Sequence, residues 1–201
     1  MNDILTNAAP EVSPCDLSFE AKKAARWWRG LQRTLRNGET NPNADPGALA
    51  RLRRASAPIE ALTEPVVHRL YRELSAGTYN ERRAEAVAVL AMVLAHVRKD
   101  CDDDREGAAL LKLGHKLAAG DPPLLSTLRL KRLTSAREGD DVLRCFREAV
   151  ALLRDTVPVV DLVCNVLGWM DEDCRDQIRT RFLFDYHGAQ FTPSDTPSDA
   201  A

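Results

Sequence analysis

Residues Ala84 to Val97 constrain the fold of this chain more than any other segment. They are almost all apolar, with Glu85 the charged exception. Such a run has no polar face to give to water, so it is expected as the most buried helix of a helical protein. It also falls short of the roughly 18–20 apolar residues that a membrane span needs.

Other segments repeat their apolar residues at the helical period. Val142, Cys145, Phe146, Ala149, Val150 and Leu153 share one face, with Arg144, Arg147 and Arg154 on the other. Ala24, Trp27, Trp28, Leu31 and Leu35 form a second apolar stripe, and Lys22, Arg26, Arg29, Arg33 and Arg36 form a basic stripe beside it. Long Val/Ile/Thr alternation is absent, and Leu, Ala, Arg and Glu, all strong helix formers, dominate. The expected class is all-α, with about nine helices in two small helical bundles.

Capping residues and breakers place the boundaries. The first helix is predicted from Ser18 to Asn37-Gly38. A short one follows Asp45-Pro46 and is closed by Pro58, another runs from Glu64-Pro65 to Leu74, and Asn80 opens the apolar one. The acidic stretch Asp100 to Asp104 reads as a solvated loop between the bundles. Helices are then expected over Gly107–Ala119, Leu124–Ala136, from Asp140-Asp141 onward, over Val159–Met170, and from Asp171 to Tyr186. The expected organisation is a tail over 1–17, lobes over 18–100 and 107–188, and a second tail over 189–201.

A chain of 201 residues buries enough surface to fold without a disulfide or a structural metal. The five cysteines are odd in number, and none are spaced C-x-x-C. They read as small buried hydrophobes, with Cys15 an incidental tail thiol, rather than as a disulfide or zinc framework. Met1-Asn2-Asp3 does not open a secretory leader, so a cytoplasmic protein is expected.

Catalytic templates fail one after another. There is no phosphate-cradling glycine loop, no H-E-x-x-H and no G-x-S-x-G. His68, His96, His115 and His187 lie far apart in the chain, with no carboxylate at metal-ligand spacing. No catalytic set, metal or cofactor is expected.

Arginine stands out instead. The net charge of −2 hides a basic excess over residues 20–99 and 126–154 and an acidic one over 155–201. Arg53-Arg54, Arg82-Arg83 and the group Arg129, Lys131 and Arg132 have no Asp or Glu four residues away to pair with along a helix. Unpaired cations on one face suit a polyanion. The alternative is a helical protein–protein adaptor whose arginine faces are solvated or meet an acidic partner.

Trp27-Trp28 with Leu31, a short loop, and Ala50-Arg51-Leu52-Arg53-Arg54-Ala55 resemble the opening of the CasB family, the small subunit of the type I-E CRISPR interference complex Cascade. The resemblance continues in order. It runs through the helix Ala84 to Ala95, Leu113-Gly114 with Leu117, the stretch Leu125 to Leu133, Val142 to Leu153, Val160-Asp161-Leu162, Trp169 and Tyr186. It covers roughly residues 19–188. The chain departs from the family in having Leu130 where an aromatic follows the arginine, and in the Phe-Arg-Glu context of Arg147.

The resemblance implies a non-catalytic subunit present as a pair within the complex. Its DNA partners would be the displaced and target strands, with guide RNA met indirectly through the hybrid, and other Cascade subunits would surround it. It ranks Arg53, Arg54, Arg82, Arg83, Arg129, Lys131, Arg132, Arg144 and Arg147 ahead of the first-helix stripe as nucleic-acid-binding residues. Arg144 and Arg147 are expected to point outward, opposite Cys145 and Phe146. Arg82 and Arg83 are expected to gain from free backbone N–H groups at a helix N-terminus.

Overall fold

A computed structural model of the chain describes residues 15–34, 38–75, 77, 79–101 and 112–188. The expected tail over 189–201, residues 1–14 of the expected tail over 1–17, and Leu35, Arg36 and Asn37 at the expected end of the first helix lie outside the described residues. So does most of the expected acidic loop. The rest of the first tail is held at Cys15, which is buried.

Ten helices and one minimal sheet make up the described chain. In order they are α1 (Ser18–Leu31), α2 (Pro46–Arg54), α3 (Pro58–Ala61), α4 (Pro65–Leu74), α5 (Glu81–Leu94), β1 (Lys99–Asp100), α6 (Leu113–Ala118), α7 (Thr127–Ser135), α8 (Gly139–Leu152), β2 (Thr156–Val157), α9 (Val159–Met170) and α10 (Arg175–Gly188). The class is all-α. The parallel pair β1–β2, Lys99 beside Thr156 and Asp100 beside Val157, was not expected.

α5 is central, as its composition requires: every residue from Ala86 to Ala95 is buried. It packs against α2, α3, α4, α8 and α9. α9 matches it, with all residues from Val159 to Trp169 buried. α1 lies on α9 and α4, and α10 lies on α6 and α9. Helices on both sides of residues 102–111 therefore bury their apolar faces in one continuous cluster. Within it the Trp169 ring meets Phe146 and Phe182 edge-on at 5.4 and 5.5 Å, and its indole N–H donates to the Leu133 carbonyl. Gly114 allows the close approach of α6 to α10, since a Cβ there would sit 2.8 Å from the Phe182 carbonyl oxygen.

Several predicted boundaries shift for reasons that lie across space. α1 ends at Leu31, short of Asn37-Gly38. The Asn41 amide donates to the carbonyls of Gly30 and Gln32, capturing the helix end from the following loop. Pro58 begins α3 at its first turn instead of merely closing α2. α6 begins with no side-chain cap of its own; Asp161 of α9 supplies one, accepting from the Leu113 N–H at 2.9 Å.

Four arginines close helix ends in the same through-space manner. Arg53 Nε donates to the Ala95 carbonyl at the end of α5. Arg147 Nη2 donates to Leu52 and Ala55 at the end of α2, Arg179 to Ala136 after α7, and Arg175 to Trp169 near the end of α9. The last carbonyls of a helix lack internal partners and carry the negative end of its dipole, so cationic donors suit them.

The reading of the cysteines needs one correction. Cys15 and Cys174 form a disulfide across 159 residues of sequence, and both are buried. Their separation carries no spacing signal; the packing of α1 on α9 brings them together. Cys145 and Cys164 are buried free thiols, as expected, and Cys101 is half-buried.

Candidate nucleic-acid interface

A groove of about 1110 Å³ runs between α1, α2 and β1. Its walls carry Arg26, Arg29, Arg33, Arg53, Arg98 and Lys99, against one carboxylate, Asp100. That carboxylate is buried in the floor, where it accepts from Arg29 Nη2 at 2.6 Å and from the Val159 N–H at 3.2 Å. Two further donors line the groove: the Trp28 indole N–H and the Gln32 amide are buried and have no hydrogen-bond partner among the described residues.

Local structure explains each wall. α1 buries Ala21, Ala24, Ala25, Trp27, Trp28 and Leu31, which turns Arg26 and Arg29 away from α9. Arg33 follows the captured helix end. Arg98 and Lys99 are held by the turn after α8. There Arg154 and Asp155 adopt left-handed φ values of 53° and 60°, and the Asp155 carbonyl accepts from the N–H groups of Arg98 and Lys99. The Asp155 carboxylate also pairs with Arg98 at 3.0 Å, on a side chain that is still 80% exposed.

The nine sequence-ranked cations do not lie together. Arg53 alone belongs to the groove. Arg54, Lys131 and Arg132 are exposed, and no ion pair joins them to another described residue. Arg129 pairs with Glu148, and Arg144 with Asp141 at 2.6 Å. Arg147 does not point outward as expected: it is half-buried, its guanidinium turned onto the α2 carbonyls, and desolvation lowers its pKa.

Arg82 and Arg83 line a different cavity, of about 580 Å³, beside Asp16, Glu20, Asp171, Glu172 and Asp173. Arg82 pairs with Glu172 at 2.5 Å and Arg83 with Glu20. The Asn80 side chain takes the Arg83 N–H, so one of the free backbone donors expected there is already used. The missing helical neighbours thus gave a false impression of unpaired charge. The carboxylates that answer Arg82, Arg83 and Arg129 come from elsewhere in the fold: the turn after α9, α1 and α8.

Sequence reading missed Arg98 and Lys99 altogether. Only the pairing of β1 with β2 brings them beside α1, and two-residue strands leave no periodic trace. The first-helix stripe was visible but ranked second. Among the described residues no group of three or more His, Cys, Asp or Glu could hold a metal ion, and no helix is long and apolar enough to cross a membrane.

Residues 48–187 match the family described as CRISPR-associated protein Cse2. No curated protein and no solved structure matches the chain.

Proposed function

The chain belongs to the Cse2 family, the CasB resemblance of its sequence, and is a small subunit of the type I-E interference complex Cascade in CRISPR defence; from this premise we propose that its α1–α2–β1 groove holds a DNA strand by its phosphates while the complex opens duplex. The observation that carries the proposal is the excess of charge in one groove: six cations, with Asp100 as the one carboxylate in its lining and Asp155 pairing with Arg98 from the adjoining turn, beside two unpartnered N–H donors. An excess of cationic donors over carboxylates fits phosphate oxygens, and such contacts hold a backbone without reading bases.

Exchange of one duplex for a guide–target hybrid is nearly balanced, so modest backbone contacts tip it. The subunit stabilises the R-loop in this way and performs no chemistry itself. Exposed Arg54, Lys131 and Arg132 lie outside the groove and offer separate contacts to the displaced strand or the hybrid, and guide RNA is met only through that hybrid. The acidic surroundings of Arg82 and Arg83 favour a protein contact on that face, to another Cascade subunit or a second copy of the chain. The protein acts in the cytoplasm, with the complex.

Replacing Arg26, Arg33 and Arg98 together by Ala tests the groove. All three are exposed, so the helical fold is retained. Affinity for a single-stranded DNA oligonucleotide falls, and the slope of log K against log salt falls by about two units, at roughly 0.7 per lost phosphate contact. An unchanged slope with a folded variant overturns the proposal.

A further inference from the structure

We infer that Arg147 is a positioning residue: it fixes the end of α2, and through α2 the groove wall, without touching nucleic acid itself. The inference rests on the groove reading above and gives one of the sequence-ranked arginines a different task. Arg147 sits in the middle of α8, and its Nη2 reaches 3.0 Å to the Ala55 carbonyl and 3.4 Å to that of Leu52. Those two carbonyls belong to the last turn of α2 and its cap. That turn carries Arg53 and Arg54.

A second arginine closes the same joint. Arg53 donates through Nε to Ala95 at the end of α5, which leaves the rest of its guanidinium at the groove. His96 feels both cations: burial first, then the charges of Arg147 and Arg53, lower its pKa, and Asp155 opposes them. The joint therefore links α8, α2, α5 and the turn that holds Arg98 and Lys99. α2 itself is only nine residues long and ends in three arginines within four positions. A helix that short is marginal alone, and α2 draws its fixed end from Arg147.

The expected behaviour follows from where the charge is spent. Without Arg147, α2 must be re-seated each time a strand binds, while every phosphate contact is still made. Affinity then falls at all salt concentrations and the salt slope stays the same. A direct phosphate contact would instead remove about 0.7 units of slope on single-stranded DNA.

The test uses the full chain as wild type, Arg147→Ala and Arg147→Lys, with a mixed-sequence single-stranded oligonucleotide followed by fluorescence anisotropy over several salt concentrations. Active concentration is set by stoichiometric titration, so partial unfolding is not scored as lost affinity. Amide hydrogen exchange is measured on the same proteins without DNA. Arg147→Ala is expected to bind about tenfold more weakly, the scale of one to two lost hydrogen bonds, with an unchanged slope. Exchange is expected to quicken over α2 and not over α9 or α10, and Arg147→Lys, which keeps the charge but lacks the planar fork that serves two acceptors, is expected to recover only a smaller part of both effects. A lowered slope with α2 exchange unchanged overturns the inference in favour of direct contact. Unchanged affinity per folded molecule overturns it in favour of a purely structural role. Wild type that binds no DNA overturns the groove reading and this inference with it, whereas a normal wild type with a normal Arg147→Ala overturns this inference alone.

Discussion

Asp100 is the one negative charge in the floor of the groove, and replacing it by Asn separates its structural task from its electrostatic one. The carboxylate is fully buried and binds Arg29, whose side chain is 40% exposed. It also accepts from the Val159 N–H, which ties β1 to the start of α9. An Asn amide oxygen still serves Val159, and what is lost is the charge-assisted bond to Arg29. Such bonds contribute about 1.5–3 kcal/mol. For a protein of this size each kcal/mol moves Tm by roughly 2–4 °C, so Asp100→Asn melts about 3–12 °C lower. The same change removes the negative charge that faces Arg29 at the groove wall. Single-stranded DNA binding at low salt tightens, and the salt slope steepens by up to about 0.7, one added contact. Differential scanning calorimetry and anisotropy titrations read the two effects on one sample. A variant that melts lower and binds no more tightly, with the same slope, refutes the assignment of Arg29 to the binding wall. A variant with unchanged Tm refutes the structural role of the pair.

Three further outcomes are expected. Phe146→Ala, at a fully buried ring against Trp169, costs about 3–5 kcal/mol in denaturant unfolding; a loss under about 1 kcal/mol contradicts the packing of α8. Cys15→Ser removes a cross-link between residues 159 apart and lowers stability by about 2–4 kcal/mol under non-reducing conditions, an effect that vanishes when wild type and variant are compared in excess dithiol. His96 titrates below its ordinary value of 6.5 because of burial and the neighbouring arginines. The unfolded chain thus takes up a proton there before the folded one does, and stability falls as pH drops below about 6.5 until the folded pKa is reached. His96→Gln flattens that part of the pH profile, and a profile unchanged by the substitution contradicts the assignment.

What could be read from the sequence was whatever the period of a single helix encodes. α9 was placed at both of its ends, Val159 and Met170, because Pro158 and a solid apolar run bound it. Phe146 and Trp28 were assigned to the core from spacing alone, and both are buried. Signals that act between elements were out of reach. The end of α1 depends on Asn41, the cap of α6 on Asp161, and the Cys15–Cys174 bond on helix packing. The groove suffered most from this. Arg53 was named from a short basic run, whereas Arg98 and Lys99 needed the β1–β2 pairing to reach α1. Arg147 lies on the polar side of α8 as its spacing predicts, yet there it meets the end of α2 rather than water, while Arg144 on the same side is exposed. A helical wheel separates apolar from polar, and cannot say whether a polar residue meets solvent or another helix's carbonyls.

The arginines that close helix ends also bear on how this sequence can drift. Arg53, Arg147, Arg175 and Arg179 each reach a backbone carbonyl that no substitution can move or recharge. Their partners belong to the main chain, so a compensating change on the other side is not available. Ion pairs such as Arg144–Asp141 can be exchanged, reversed or lost together at little cost. Lysine reaches as far but lacks the planar fork that satisfies two acceptors at once, which makes Arg147 the stricter position. Among variants that still fold, arginine should therefore be retained at these four sites while the exposed cations wander between arginine and lysine. Tolerance to that one exchange would sort the arginines of this protein into those that hold helices and those that face a ligand.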